Sequence, residues 1–206
     1  MKKYLVIISL LMFTACSSDL TREITELNYP EELGMIKRAD WGWVPIDTAF
    51  RVHEIKKITI HHGGVEFKRG TDPEEHLRNL QAWSRSEKHW IDIPYHFMID
   101  LDGNIYECRP INIPGDTNTE YDPESHALIC VMGNYEVQEL SEDQLEAVIK
   151  MCAYLAQKFD VPVSEIKGHK DYSKMTVCPG KNLYKYLADG TIVRRVKKIV
   201  AEGTED

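Results

Sequence analysis

Apolar and polar positions along this chain fall into patterns that predict most of its elements. Residues 55–61 place Ile55, Ile58 and Ile60 around Thr59, a β-branched run that favours a buried pleated surface. Gly63-Gly64 then breaks the strand. Asp72-Pro73-Glu74-Glu75 reads as a helix start, with Asp72 as the cap, Pro73 in the first turn and acids at the positive end of the helix. That helix is predicted to run to about Ser86, with Leu77, Leu80 and Trp83 on one side. Residues 95–99 and 104–108 read as two strands joined across the turn signal Asp102-Gly103. Residues 127–132 are almost purely apolar, which predicts a central strand. Ser141 followed three residues later by Gln144 has capping-box spacing. The helix it opens reaches about Phe159, with Leu145, Val148, Ile149, Cys152, Leu155 and Ala156 at helical intervals. A last helix is predicted between 182 and 200, with Gly190 as its candidate break. Strands and helices interleave, so the fold class is α/β, a single domain around one mixed sheet.

The first fifteen residues belong to a different class. Met1-Lys2-Lys3 is basic, and residues 4–13 form an apolar stretch too short to span a bilayer. Phe13-Thr14-Ala15-Cys16 resembles a bacterial lipobox. The expectation is a signal peptide over 1–15, lipidation of Cys16, a polar and acidic tether over 16–35, and one folded domain over 36–206. No later stretch is long and apolar enough to cross a membrane.

Composition narrows the partners. The chain carries 25 Lys and Arg against 33 Asp and Glu, a net charge of −8 at pH 7. Removal of the leader takes two lysines and no acid with it, so the remainder is more acidic still. Such a chain is a poor partner for nucleic acid, and attachment to anionic lipid would have to come from acyl chains. Of the five cysteines, Cys130 lies in the apolar strand and Cys152 on the apolar helix face, where a free thiol acts as a small hydrophobe. A disulfide among Cys108, Cys130 and Cys152 stays open at this point.

The candidate chemistry lies in His61, at the end of a predicted strand, and in His169 and Cys178, on a predicted loop between helices. Two imidazoles and a thiolate suit zinc, and three protein ligands leave the fourth tetrahedral position open, as in catalytic sites. A structural zinc would want a fourth protein ligand. His62 falls on the opposite face of the strand from His61 and is not expected to be a ligand.

Six words occur in one order: Lys37-Arg38-Ala39-Asp40-Trp41-Gly42; Ile58-Thr59-Ile60-His61-His62; Ile93-Pro94-Tyr95-His96-Phe97-Met98-Ile99; Asp102-Gly103-Asn104-Ile105-Tyr106-Glu107; His126-Ala127-Leu128-Ile129-Cys130-Val131-Met132-Gly133-Asn134-Tyr135; and the stretch from Gly168-His169 to Cys178-Pro179-Gly180. Over roughly residues 36 to 200 this order resembles the peptidoglycan recognition protein and type 2 N-acetylmuramoyl-L-alanine amidase family, which includes the phage lysozyme-type amidases. The resemblance implies a central sheet flanked by helices with a zinc cleft on one side, and His61, His169 and Cys178 as ligands of one zinc ion. It implies Tyr95 as the catalytic tyrosine; His96 beside it in the predicted strand should face the other way, into the core. Thr176 stands where the phage enzymes carry lysine, and a hydroxyl there can still donate to an oxyanion. Cys130 stands about where one branch places a glutamate, so that general base is missing. Gly115-Asp116-Thr117 replaces a frequent Gly-Ala-His, which weakens any transfer of substrate contacts across 112–125. Trp43, Trp90 and Asn134 are candidate substrate contacts. The function implied is zinc-dependent hydrolysis of the amide between the lactyl group of N-acetylmuramic acid and L-alanine, in peptidoglycan or muropeptides. The alternative is a non-catalytic peptidoglycan-binding module. The place implied is the bacterial cell envelope, on a membrane-anchored lipoprotein facing the periplasm or the exterior.

Overall fold

The computed structural model describes residues 20–203, so the expected leader and Cys16 lie outside the described residues. In chain order the elements are β1 (Leu20–Thr21), α1 (Arg38–Trp41), β2 (Phe50–Arg51), β3 (Lys57–His62), α2 (Pro73–Ser86), β4 (Phe97–Ile99), β5 (Ile105–Glu107), β6 (His126–Val131), α3 (Glu142–Lys158), β7 (Ile166–Gly168), α4 (Lys181–Ala188) and α5 (Thr191–Glu202). β1 and β2 form a small antiparallel pair. The other five strands make one mixed sheet in the order β5-β4-β6-β3-β7, antiparallel between β4 and β5 and parallel elsewhere.

β6 is the middle strand, and all six of its residues are buried. Helices cover both faces, which is why its apolar run is continuous rather than alternating. Alternation still divides the side chains. Ile58, Ile60, Ile129 and Val131 join the core under α3 and α5, while Met98, Cys130 and Met132 join the core under α1 and α2. Cys130 and Cys152 are thus in different cores, and Cys108, Cys130 and Cys152 are all free thiols.

The helix signals act as expected. Asp72 Oδ1 accepts the Glu74 N–H at 2.9 Å, and Ser141 and Gln144 form a reciprocal capping box. Caps of this kind are worth about 1 kcal/mol each. The β4–β5 turn requires Gly103: its φ is +82°, and a Cβ there would lie 2.7 Å from Asp143 O. Gly190, at φ +76°, separates α4 from α5. His96 is fully buried, accepting the Leu128 N–H at Nδ1 and donating from Nε2 to Ile113 O, so it is a core residue as the sequence implied.

Three expectations are corrected. The stretch over 20–35 is not a free tether from Leu20 onward. Leu27 and Leu33 are buried in the main core, and Tyr29 donates to Glu107 at 2.6 Å. Glu107 also pairs with the buried Arg38 at 3.0 Å, so a polar network ties this strap to the sheet. His169 does not sit on a loop between two helices; it follows the short edge strand β7 and starts a 3-10 turn, His169–Asp171. Trp83 does not share the burial of Leu77: it is 44% exposed.

Candidate metal centre and its cleft

β3 delivers His61 to the end of the sheet. Its register partner on β6 is Cys130, and Cys130 in turn pairs with Met98 on β4, so one face of the sheet carries all three. β7 pairs with β3 through Ile60 and Gly168, which sets His169 at the same end as His61. Cys178 arrives on the loop before α4. That loop packs tightly: a Cβ on Gly180 would lie 2.4 Å from the carbonyl carbon of Tyr135, so only glycine fits. Lys170 N–H donates to Cys178 O at 2.8 Å and joins the two ligand-bearing turns.

The result is one buried group. A nitrogen of His61, a nitrogen of His169 and the sulfur of Cys178 all lie within 4.8 Å of one another. Cys178 Sγ is 3.6 Å from His61 Nδ1. Zinc at about 2.1–2.3 Å from tetrahedral ligands separates its donors by roughly 3.5 Å, so this pair already has the needed spacing. Each imidazole also has a hydrogen-bond partner at Nε2. Thr119 Oγ1 lies 2.8 Å from His169 Nε2, and the Tyr121 hydroxyl lies 3.3 Å from His61 Nε2. Partners at the second nitrogen are what orient a ligating imidazole. The donor set therefore fits zinc. His62 does not take part: its ring accepts the Tyr135 N–H at 3.1 Å, while its own backbone N–H donates to Cys178 Sγ at 3.3 Å.

Electrostatics agree with the geometry. Burial, reinforced by the neighbouring His169 and His126 imidazoles, holds the His61 pKa well below its ordinary value. Burial lowers that of His169 to about 4. Both rings are thus neutral at physiological pH and have lone pairs to give. Burial pushes the Cys178 thiol up to about 12, so its proton leaves only when a cation takes the sulfur.

A cleft of about 700 Å³ opens beside this group, lined by His61, His169, Cys178, Tyr95 and Thr176 among others. The Tyr95 ring centre is 5.2 Å from that of His61. Burial, helped by the Cys130 and Cys178 thiols, raises the Tyr95 pKa well above its usual value and keeps the phenol protonated. Thr176 Oγ1 accepts the Cys178 N–H at 3.1 Å, which leaves its own O–H free to donate. Trp90 lines the cleft as well. Trp43 and Asn134 do not. The Trp43 indole donates to Asp92 Oδ2 at 2.9 Å and lies beneath the Arg38 guanidinium, and Asn134 Oδ1 caps a turn by accepting the Glu136 N–H at 3.1 Å.

The residues that sequence reasoning missed sit on the loop over 116–122, where the usual family pattern is broken. Thr119 and Tyr121 brace the two histidines, and Glu120 fastens the loop by accepting from Ser173 Oγ at 2.6 Å and Lys174 N–H at 3.1 Å. The only signal for them was the departure from Gly-Ala-His, which marks a change without naming the substitute contacts.

Comparison with known proteins places this geometry. The family profile for N-acetylmuramoyl-L-alanine amidase matches residues 51–181, a span that includes all three donor residues. Peptidoglycan recognition protein 1 of Mus musculus is 31% identical over 158 residues, which cover 74% of this chain and 85% of that protein. The fold matches the crystal structure of Drosophila peptidoglycan recognition protein SD with a TM-score of 0.67 at 24% identity, over 74% of this chain and 92% of that one. A mutant of Drosophila peptidoglycan recognition protein LB, solved in complex with tracheal cytotoxin, matches with a TM-score of 0.63 at 25% identity, over 75% of this chain and 92% of that one. The chain belongs to the N-acetylmuramoyl-L-alanine amidase family, and the peptidoglycan recognition proteins are its relatives.

Proposed function

We propose that this protein is a zinc-dependent amidase that hydrolyses the bond between the lactyl group of N-acetylmuramic acid and L-alanine. The observation that carries the reading is the convergence of His61, His169 and Cys178 on the wall of a cleft that also holds Tyr95. His61, His169 and Cys178 would hold the metal. Zinc, when bound, supplies a Lewis acid that polarises the carbonyl and acidifies water. The chain's own groups do the rest. The Tyr95 phenol donates a hydrogen bond to the oxygen that becomes negative as the amide carbon turns tetrahedral. Thr176 offers a second, uncharged donor and holds the Cys178 backbone through its Oγ1. Thr119 and Tyr121 fix the ligand rings. Trp90 is the substrate contact that remains in the cleft.

The second reading is a peptidoglycan-binding module without hydrolysis, favoured by the recognition proteins among the relatives. The full His-His-Cys donor set favours the enzyme, since binding alone does not need it. A muropeptide digest decides. The amidase releases free stem peptides with an L-alanine amino terminus and leaves the glycan backbone intact. A chelator should abolish them and zinc restore them. New reducing sugar ends, new ends inside the stem peptide, or binding without release would overturn the proposal.

We further propose that the protein acts in the bacterial cell envelope, anchored through a lipidated Cys16, a reading that rests on the leader expected over residues 1–15. Cys16→Ser should leave the precursor unprocessed or release the protein from the membrane fraction. Processed variant that still sediments with membranes would rule the anchor out.

A further inference from the structure

Cys130 is a fully buried free thiol on the middle strand of the sheet. Its register partners are His61 on β3 and Met98 on β4, so it lies next to the metal group. It does not join that group: the donors that converge are His61, His169 and Cys178.

Three observations tie Cys130 to Tyr95. Tyr95 packs against the apolar cluster that holds Cys130 and Met98. Its ring is centred 5.2 Å from that of His61, the residue paired with Cys130 across the sheet. The phenol and the thiol also share a side-chain hydrogen bond, in which the O–H donates and the sulfur accepts. The proton of the thiol points elsewhere, since Cys130 Sγ donates to Val131 O at 3.8 Å. That carbonyl is itself fixed, because it accepts the Gly63 N–H at 3.0 Å just beyond β3. A chain of bonds thus runs from the Tyr95 hydroxyl through the Cys130 thiol to the backbone of the sheet. A neutral thiol is a weak acceptor. A carboxylate here would bind the phenol proton tightly, since hydrogen bonds to ionised groups are roughly twice as strong as neutral ones. A thiol can set the direction of the O–H and still release it to an oxygen that is gaining negative charge. Alanine would leave the O–H free to turn.

We propose that Cys130 is a positioning residue for Tyr95: its sulfur holds the phenol O–H until the reacting carbonyl oxygen takes the bond over. The assignment rests on reading Tyr95 as the oxyanion donor of an amidase, so one arm of its test needs no hydrolysis. In the infrared spectrum of the full chain, the S–H stretching band of Cys130 is the one missing from Cys130→Ser. That band should shift in Tyr95→Phe, which keeps the ring and removes the donor. The second arm is kinetic, on muropeptides. Cys130→Ala should lower kcat about tenfold, less than outright loss of an oxyanion donor, with KM and zinc content as in the parent. Cys130→Ser, whose hydroxyl can also accept, should recover most of the rate. In a Tyr95→Phe background Cys130→Ala should cost nothing further, as coupled residues require. An unmoved S–H band, an unchanged kcat in Cys130→Ala, or the same tenfold loss in the Phe background overturns the assignment and returns Cys130 to packing. A band that shifts in a protein whose parent releases no stem peptide keeps the contact and sinks the amidase. Stem-peptide release with an unmoved band does the opposite.

Discussion

Cys178→Ala is expected to strip the protein of nearly all its zinc and to lower amidase activity about a thousandfold, the several kcal/mol that a Lewis acid contributes to such a transition state. The parent should bind one zinc per chain. With the sulfur gone, two imidazoles remain, and two neutral donors hold a metal far more weakly than three donors of which one is an anion. The variant should still fold. The Cys178 backbone is held on both sides, its N–H by Thr176 Oγ1 and its carbonyl by the Lys170 N–H, and neither bond uses the side chain. Removing one buried sulfur costs on the order of 1 kcal/mol of packing, and the His62 N–H loses its acceptor. Metal analysis and a thermal melt on the same preparation separate the effects. Zinc content equal to the parent's, or near-parental activity, would remove Cys178 from the ligand set.

The sequence made the long elements legible because their patterns are repeated. α2 runs from Pro73 to Ser86 with Asp72 as its cap, as its start signal and apolar spacing predict, and α3 opens at a capping box that both partners complete. β6 is the central strand, and its run from Ala127 to Val131 is wholly apolar, as burial on both faces requires. The donor triad was legible for another reason: each member sits inside a distinctive word. What escaped has no periodicity to show. β7 is three residues with a lysine in the middle, and it exists because β3 offers it an edge. The strap over 20–35 is acidic, and its apolar contacts are scattered: Leu27 and Leu33 are buried in the core, and Tyr29 and Met35 pack against it. Trp43 and Asn134 were placed near the substrate by their position in the chain, yet the Trp43 indole is committed to Asp92, far off in sequence, and Asn134 Oδ1 to a local turn at Glu136. Thr119 and Tyr121 are ordinary loop residues until folding sets them against His169 and His61.

Tyr95→Phe should lower kcat about a hundredfold, the usual cost of losing one oxyanion donor, while zinc content and KM stay close to the parent's. The substitution is conservative in shape. The ring remains against His61 at the end of the sheet, and the Tyr95 carbonyl still accepts the Arg109 N–H at 3.1 Å, so the backbone has no reason to move. Only the hydroxyl goes. In the parent, burial and the nearby thiols, Cys130 among them through a side-chain hydrogen bond, keep that hydroxyl protonated and able to donate. A donor matters most where water is excluded and negative charge is about to form, because nothing else there can solvate it. The kinetic split is the discriminating readout. A tyrosine that only fills the core would leave kcat alone when changed to phenylalanine and would shift the melting temperature by no more than a few degrees. A tyrosine that only supports the metal centre would lose zinc along with activity. Loss of kcat with zinc, fold and KM retained is the signature of a group that meets the substrate in the transition state and not before it. Full activity in the variant would return Tyr95 to a packing role and leave Thr176 as the remaining donor of the cleft wall.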